Sequence, residues 1–160
     1  SPSRNGRRVL ARNSDLVRRP VESKGTREQF RLLQRYLTNR HEGGGMSDMD
    51  FYRYEMMVEQ CASDTEIVEY RDQNGTLLAC VLIDVLQDGL SMVYSFFDPD
   101  MARRSFGNFM ILDHINRCVE EGRPHLYLGY WVEGSPKMDY KSRFQPSEIL
   151  GSDGWRAMDA

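Results

Sequence analysis

The chain has 160 residues, enough for one domain with a real core, and its 40% apolar and 28% charged residues are ordinary globular usage. No apolar run approaches the ~20 residues of a membrane span. The basic, polar start Ser1–Arg12 lacks the apolar stretch of a secretory signal. Cys61, Cys80 and Cys118 stand singly and far apart, so they suggest neither a disulfide framework nor a zinc site, and reduced thiols in a cytoplasmic protein are the simplest reading. The net charge of -3 hides an asymmetry. Residues 1–40 carry eleven Lys/Arg against three Asp/Glu, a balance of +8, and residues 41–160 carry ten against twenty-one, a balance of -11. A basic block beside an acidic body suits a polyanion-binding edge, because phosphate contacts dominate nucleic-acid affinity, but it also suits a solvated helix face or a basic arm.

In chain order, Ser1–Asn13 reads as an irregular basic lead-in, and Leu16–Val21 as a short edge strand limited by Pro20. Thr26 is an N-cap for a helix to about Arg40, with Phe30, Leu33, Tyr36 and Leu37 on its apolar side and Arg27, Arg31 and Arg35 along another face. Gly43-Gly44-Gly45 ends it in a loop. Asp48 or Asp50 then caps a second helix with the apolar stripe Phe51, Tyr54, Met57, Val58 and Cys61.

The period then changes to that of strands. Glu66–Arg71, Leu77–Leu86 and Leu90–Phe97 form an antiparallel meander joined by turns at Asn74-Gly75 and Asp88-Gly89. Asp98-Pro99 stops the third strand. A helix apolar on most of its surface, and therefore buried, is expected from about Ala102 to Glu121, ended by Gly122. His125–Val132 reads as a further strand, and Glu133–Ala160 as a loop-like tail. The strand–helix–strand crossover makes its two strands parallel neighbours, so the pattern supports an α/β or α+β fold.

Two segments can carry chemistry. Val93-Tyr94-Ser95-Phe96-Phe97-Asp98-Pro99 runs on to Arg103-Arg104-Ser105-Phe106-Gly107, where a helix start gathers free N–H groups for a phosphate or an oxyanion. A capped helix with a packing glycine is the plainer alternative. The second segment is Leu126-Tyr127-Leu128-Gly129-Tyr130-Trp131-Val132 with Ser135-Pro136-Lys137-Met138-Asp139-Tyr140-Lys141 and Phe144-Gln145-Pro146. Strand alternation would put Tyr127, Gly129 and Trp131 on one face and Leu128, Tyr130 and Val132 on the other. This aromatic and basic cluster suits base stacking and phosphate neutralisation, or equally a half-buried strand with a solvated loop. Asp98 reads as a turn residue rather than a base. His114 and His125 read as structural, and His41, beside the triple glycine, could approach substrate as a proton carrier, though that is the less favoured of its readings.

These runs, YSFFDP…RRSFGNFMILDHI…LYLGYWVEGSPKMDYKSRFQPSEIL, resemble the C-terminal domain of the aminoacyl-tRNA–protein transferases. The upstream YLTNRHEGGGM resembles the bacterial branch, the aspartate/glutamate leucyltransferases, more than the eukaryotic arginyltransferases. The likeness runs from about Ser3 to Trp155. It implies a GNAT-like acyltransferase fold, a mixed, mainly antiparallel sheet flanked by helices. Residues 1–25 would be a basic lead-in, the remnant of the family's cysteine-rich N-terminal region, and 26–160 the catalytic domain. Phe106 departs from the usual Leu of the family.

The resemblance implies transfer of leucine, or else arginine, from aminoacyl-tRNA to the N-terminal Asp or Glu of acceptor proteins, marking them for degradation by the N-degron pathway. Aminoacyl-tRNA is the co-substrate, and no cofactor, metal, membrane or DNA is expected. Tyr94 and Tyr130 are the implied catalytic pair, relaying a proton or orienting the ester. Arg104, Ser105 and Gly107 would form the anion-binding turn. Lys137 and Lys141 would attract a tRNA phosphate or the acceptor's acidic side chain, and Arg31 and Arg35, with Arg4, Arg7, Arg8 and Arg12, would extend the tRNA track. Rival readings are an acetyl-CoA-dependent N-acetyltransferase on the same architecture and a non-catalytic RNA-binding fragment.

Overall fold

A computed structural model describes residues 2–40, 48–60 and 64–158, so His41, the triple glycine and Cys61 lie outside the described residues. The chain divides into two compact units, Ser1–Tyr127 and Leu128–Ala160. The first contains α1 (Arg4–Arg12), β1 (Val17–Glu22), α2 (Arg27–Arg40), α3 (Phe51–Glu59), β2 (Asp64–Arg71), β3 (Leu77–Leu86), β4 (Gly89–Phe97), α4 (Phe106–Glu120) and β5 (His125–Tyr127). The strands form one sheet in the order β1-β2-β3-β4-β5. All neighbours are antiparallel except β4 and β5, which the α4 crossover makes parallel.

The meander and both early helices form as the pattern predicts. Thr26 Oγ1 accepts from the Gln29 amide at 3.2 Å, and the Thr26 amide donates back to Gln29 Oε1 at 3.1 Å, which closes a capping box on α2. Asp50 caps α3 through the Arg53 amide at 2.7 Å. The sheet buries both faces. On one, Cys80, Leu82, Ile67 and Phe96 pack with Phe30, Leu33, Leu37, Tyr54 and Val58 of α2 and α3. On the other, Tyr70 of β2 meets Phe109 of α4 edge-on, with ring centroids 5.3 Å apart.

Four sequence expectations change. The lead-in is helical from Arg4 to Arg12, because Ser3 Oγ accepts from the Gly6 amide and Gly6 and Val9 bury a side of the helix against α4. The long helix starts at Phe106 rather than near Ala102, since Pro99–Arg104 closes tighter 3-10 turns, and Val119 on its outer face is exposed. The last strand of the sheet stops at Tyr127 instead of Val132, and Gly129 takes φ +77°, which ends the expected alternation. The tail is ordered, with a 3-10 turn at Asp139–Arg143 and a hairpin of β6 (Glu148–Gly151) and β7 (Gly154–Ala157).

Under α4 lies a buried polar cluster. Tyr70 donates to Asp113 Oδ2 at 2.7 Å, and Arg18 reaches Asp113 and Glu120 at 3.3 and 2.6 Å. His114 is fully buried and its Nδ1 lies 2.9 Å from the Met110 carbonyl, which assigns the proton to Nδ1 in the neutral ring. Burial lowers the His114 pKa. The native state therefore binds fewer protons than the unfolded chain below pH ~6.5, so stability falls as pH drops through that value and is fully present above it. Denaturant midpoints at pH 7.5 and 5.5 should separate more in the native protein than in His114→Gln, which keeps hydrogen-bonding capacity but does not titrate.

Candidate active site

The open stretch of β4 begins at a bulge. Tyr94 pairs with Leu82 and Met92 with Ile83, so Val93 is an extra residue that bends and twists the strand. The ladder to β5 ends at Ser91↔Tyr127, and from Met92 to Phe97 no strand pairs with that edge of β4 among the described residues. Tyr94 sits just past the bulge, half-buried, and burial pushes its hydroxyl pKa up to about 12. At neutral pH it is a hydrogen-bond donor, not a base.

The chain leaves β4 through Asp98, whose amide donates to the Leu78 carbonyl at 2.8 Å. Its carboxylate caps the following turn at the Asp100 amide and holds Arg35 through two contacts of 2.9 and 3.3 Å. Arg35 also pairs with Asp100 at 2.8 Å. Asp98 is thus a turn residue, and the charge of Arg35 is met within the fold. Arg31 is exposed, bonds only the Arg27 carbonyl at 3.3 Å, and has no carboxylate partner among the described residues.

Next comes the turn into α4. Ser105 has φ 54° and ψ 47°, a left-handed conformation that costs a non-glycine residue about 1 kcal/mol. Its hydroxyl makes no capping bond, and the first amide of the helix ladder is that of Phe109, which donates to the Ser105 carbonyl at 2.9 Å. The amides of Phe106, Gly107 and Asn108 therefore have no partner among the described residues and sit at the positive end of the helix. Gly107 is not required by packing, since a Cβ there would meet only Phe97 Cε1 at 3.9 Å. An open glycine beside three free amides has the geometry that an anion cradle would need.

Arg104 is engaged within the fold. Its Nε donates to Asn13 Oδ1 at 2.8 Å, its two terminal nitrogens pair with Asp15, and its carbonyl accepts from Asn13 Nδ2 at 2.8 Å. Arg12 donates to the neighbouring Arg103 carbonyl. Sequence reasoning missed Asn13 and Asp15 because no motif marks a contact across ninety residues. The clamp brings the end of α1 against the α4 turn. Arg4, Arg7, Arg8 and Arg12 lie on the exposed side of α1, opposite buried Gly6 and Val9, and none forms an ion pair with a carboxylate among the described residues.

The second unit holds the remaining candidates. Tyr130 is 87% exposed and its carbonyl accepts from Lys141 Nζ at 2.6 Å, while burial lowers the Lys141 pKa. Lys137 is exposed.

The family model described as "Arginine-tRNA-protein transferase, C terminus" matches residues 28–151. The chain belongs to this family. The chain is 55% identical over 98% of its length to an aspartate/glutamate leucyltransferase of Hyphomonas neptunium, and 53% identical over 99% to one of Caulobacter vibrioides. It spans 63% and 58% of those relatives. Among solved structures, it resembles a ribosomal-protein-alanine N-acetyltransferase from Brucella melitensis, with a TM-score of 0.61 and 15% identity over 86% of this chain and 94% of that one. It also resembles L-PGS from Bacillus licheniformis, with a TM-score of 0.66 and 12% identity over 96% of this chain and 53% of that one. These likenesses show a GNAT-like fold for the chain.

Gly107→Ala separates ligand space from packing space. Thermal unfolding should show stability unchanged or raised by up to about 1 kcal/mol, since alanine is the better helix residue. Catalytic turnover by the same variant should fall at least tenfold, because the methyl group enters the cradle.

Proposed function

We propose that this transferase moves leucine from leucyl-tRNA to the α-amine of proteins that begin with Asp or Glu, marking them for degradation in the cytoplasm. The observation that carries the reading is the trio of unpartnered amides at Phe106–Asn108, beside the unpaired edge of β4. The family match and the names of the leucyltransferase relatives support leucine over arginine as the group transferred.

The ester that joins leucine to the terminal adenosine is already activated, so a covalent enzyme intermediate is not needed. The neutral α-amine attacks the ester carbonyl, a C–N bond forms, and the C–O bond to the ribose breaks. The proton lost by the amine goes to the ribose oxygen. An α-amine pKa of ~7.7–8 leaves a useful neutral fraction at cellular pH. Free amides of the α4 start stabilise the anionic charge, either of the tetrahedral oxygen or of the tRNA's terminal phosphate. Tyr94, kept protonated by burial, relays the proton, passing its own to the departing oxygen and taking up the one that the amine loses. Arg104 holds the turn in place, and Arg8 and Arg12 on α1, with Arg103, meet phosphates of the acceptor arm. The roles that the resemblance implies for Tyr130, Lys137 and Lys141 are assigned by motif.

An acetyl-CoA-dependent reaction is the second reading, favoured by the acetyltransferase fold neighbour and by the same anion cradle. One assay separates the two. Label should pass from leucyl-tRNA to an Asp-starting peptide, more slowly from arginyl-tRNA and not from acetyl-CoA, with a rate that rises through pH ~8 as the amine loses its proton. Arg8→Glu with Arg12→Glu should weaken tRNA binding and reduce its salt slope by about two. Transfer from acetyl-CoA alone would install the rival, and transfer from neither donor would leave only an RNA-binding role.

A further inference from the structure

Arg40 is the last residue of α2, and its guanidinium is held in two ways by one side chain. Its Nη1 donates to Tyr36 Oη at 2.8 Å, and its central carbon lies 5.4 Å from the centre of the Tyr36 ring. Tyr36 is itself buried and fixed edge-on against Phe97, with centroids 5.0 Å apart. Phe97 in turn lies 6.0 Å from the Phe106 ring and is the atom group that a Cβ on Gly107 would touch. A continuous line of contacts thus runs from Arg40 through Tyr36 and Phe97 to the amide cradle. The charge of Arg40 also pulls the Tyr94 pKa down, against the larger upward push of burial.

Several other arginines of this unit are already engaged. Arg18, Arg35, Arg71, Arg104 and Arg117 each pair with at least one carboxylate. Arg27 lies over the Phe51 ring at 3.8 Å, and Arg31 bonds a helix carbonyl. Arg40 is exposed and has no carboxylate partner among the described residues. One terminal nitrogen is committed to Tyr36, which orients the plane, and the other donors remain for a planar, two-oxygen anion.

We propose that Arg40 is a specificity residue that reads the side-chain carboxylate of the acceptor's first residue. The inference rests on the reading of the chain as an acceptor-acylating transferase. In an acceptor that begins with Asp or Glu, a carboxylate stands one or two methylenes from the carbon that bears the attacking amine. A cation fixed on Tyr36, at the end of the line of contacts from the cradle, would hold that carboxylate while the amine faces the ester. An Asn or Gln at the same place offers no charge and directs an NH2 group at a guanidinium, so it is rejected. Tyr36 acts through Arg40 as a positioning residue.

The test uses the full chain with leucyl-tRNA and two peptides that differ only in Asp or Asn at the first position. The native enzyme should prefer Asp. Arg40→Gln should raise KM for the Asp peptide about 10- to 100-fold, the loss expected of a charge-assisted hydrogen-bonded pair. Its kcat should stay within a few-fold, its tRNA affinity should not change, and the preference for Asp should collapse. Arg40→Lys should recover part of the preference, because it returns the charge without the fork. The inference is overturned if Arg40→Gln keeps the native KM and the native Asp-to-Asn ratio, or if kcat and melting temperature fall together while that ratio persists. If the native chain transfers leucine to neither peptide, the functional reading itself fails and takes this inference with it.

Discussion

The contact between Arg104 and the Asn13–Asp15 segment is the constraint on which the rest of the site depends. Ser105 is held in a left-handed conformation that its side chain disfavours, and it gains no capping bond in return. The compensation comes from across the chain: Asn13 accepts from Arg104 and donates to the Arg104 carbonyl, while Asp15 pairs with the guanidinium. Each such bond contributes about 1 kcal/mol or somewhat more, enough to offset a strain of about 1 kcal/mol. Strain of this size persists only where neighbours over-determine it, and here it turns three helix amides outward instead of letting a serine hydroxyl satisfy them.

The same contact ties the basic N-terminal helix to the site. Were α1 a loose arm, its arginines would be a diffuse source of positive charge. Anchored by Val9 and Gly6 on α4 and by Arg12 and Asn13 on the turn, they form a ridge that ends at the cradle. Part of the acidic body beyond residue 40 is engaged locally: Asp98 and Asp100 with Arg35, Glu66 and Glu121 with Arg117, and Glu69 with Arg71. Positive charge gathered on one edge would give a polyanion a direction of approach.

Much of the fold was legible in the residues. The turns at Asn74-Gly75 and Asp88-Gly89, the Thr26 and Asp50 caps and the apolar run of β3 are local signals, and local signals place elements well. The starts and stops that failed depend on distant contacts. Whether Ser1–Asn13 is helical turns on a docking surface offered by α4, and whether α4 begins at Ala102 or Phe106 turns on the Asn13 clamp. For the site, the motif located Ser105, Gly107 and Tyr94 in one neighbourhood of the first unit. It could not show that Arg104 and Arg35 are neutralised by Asp15, Asp98 and Asp100, since side-chain pairing across sixty to ninety residues leaves no trace in spacing. Arg40 went unnoticed for the complementary reason: a lone arginine at a helix end looks like any solvated charge until its neighbours are known.

The central claim is that the amide start of α4 receives the anionic centre of an aminoacylated adenosine. Titrating the 15N-labelled protein with a non-hydrolysable 3′-leucylamido-adenosine 5′-phosphate tests it directly. The account requires the largest amide shifts at Phe106, Gly107 and Asn108, with smaller ones along Met92–Phe97. Binding with those three amides unmoved, and the shifts gathered on another part of the chain, would contradict it.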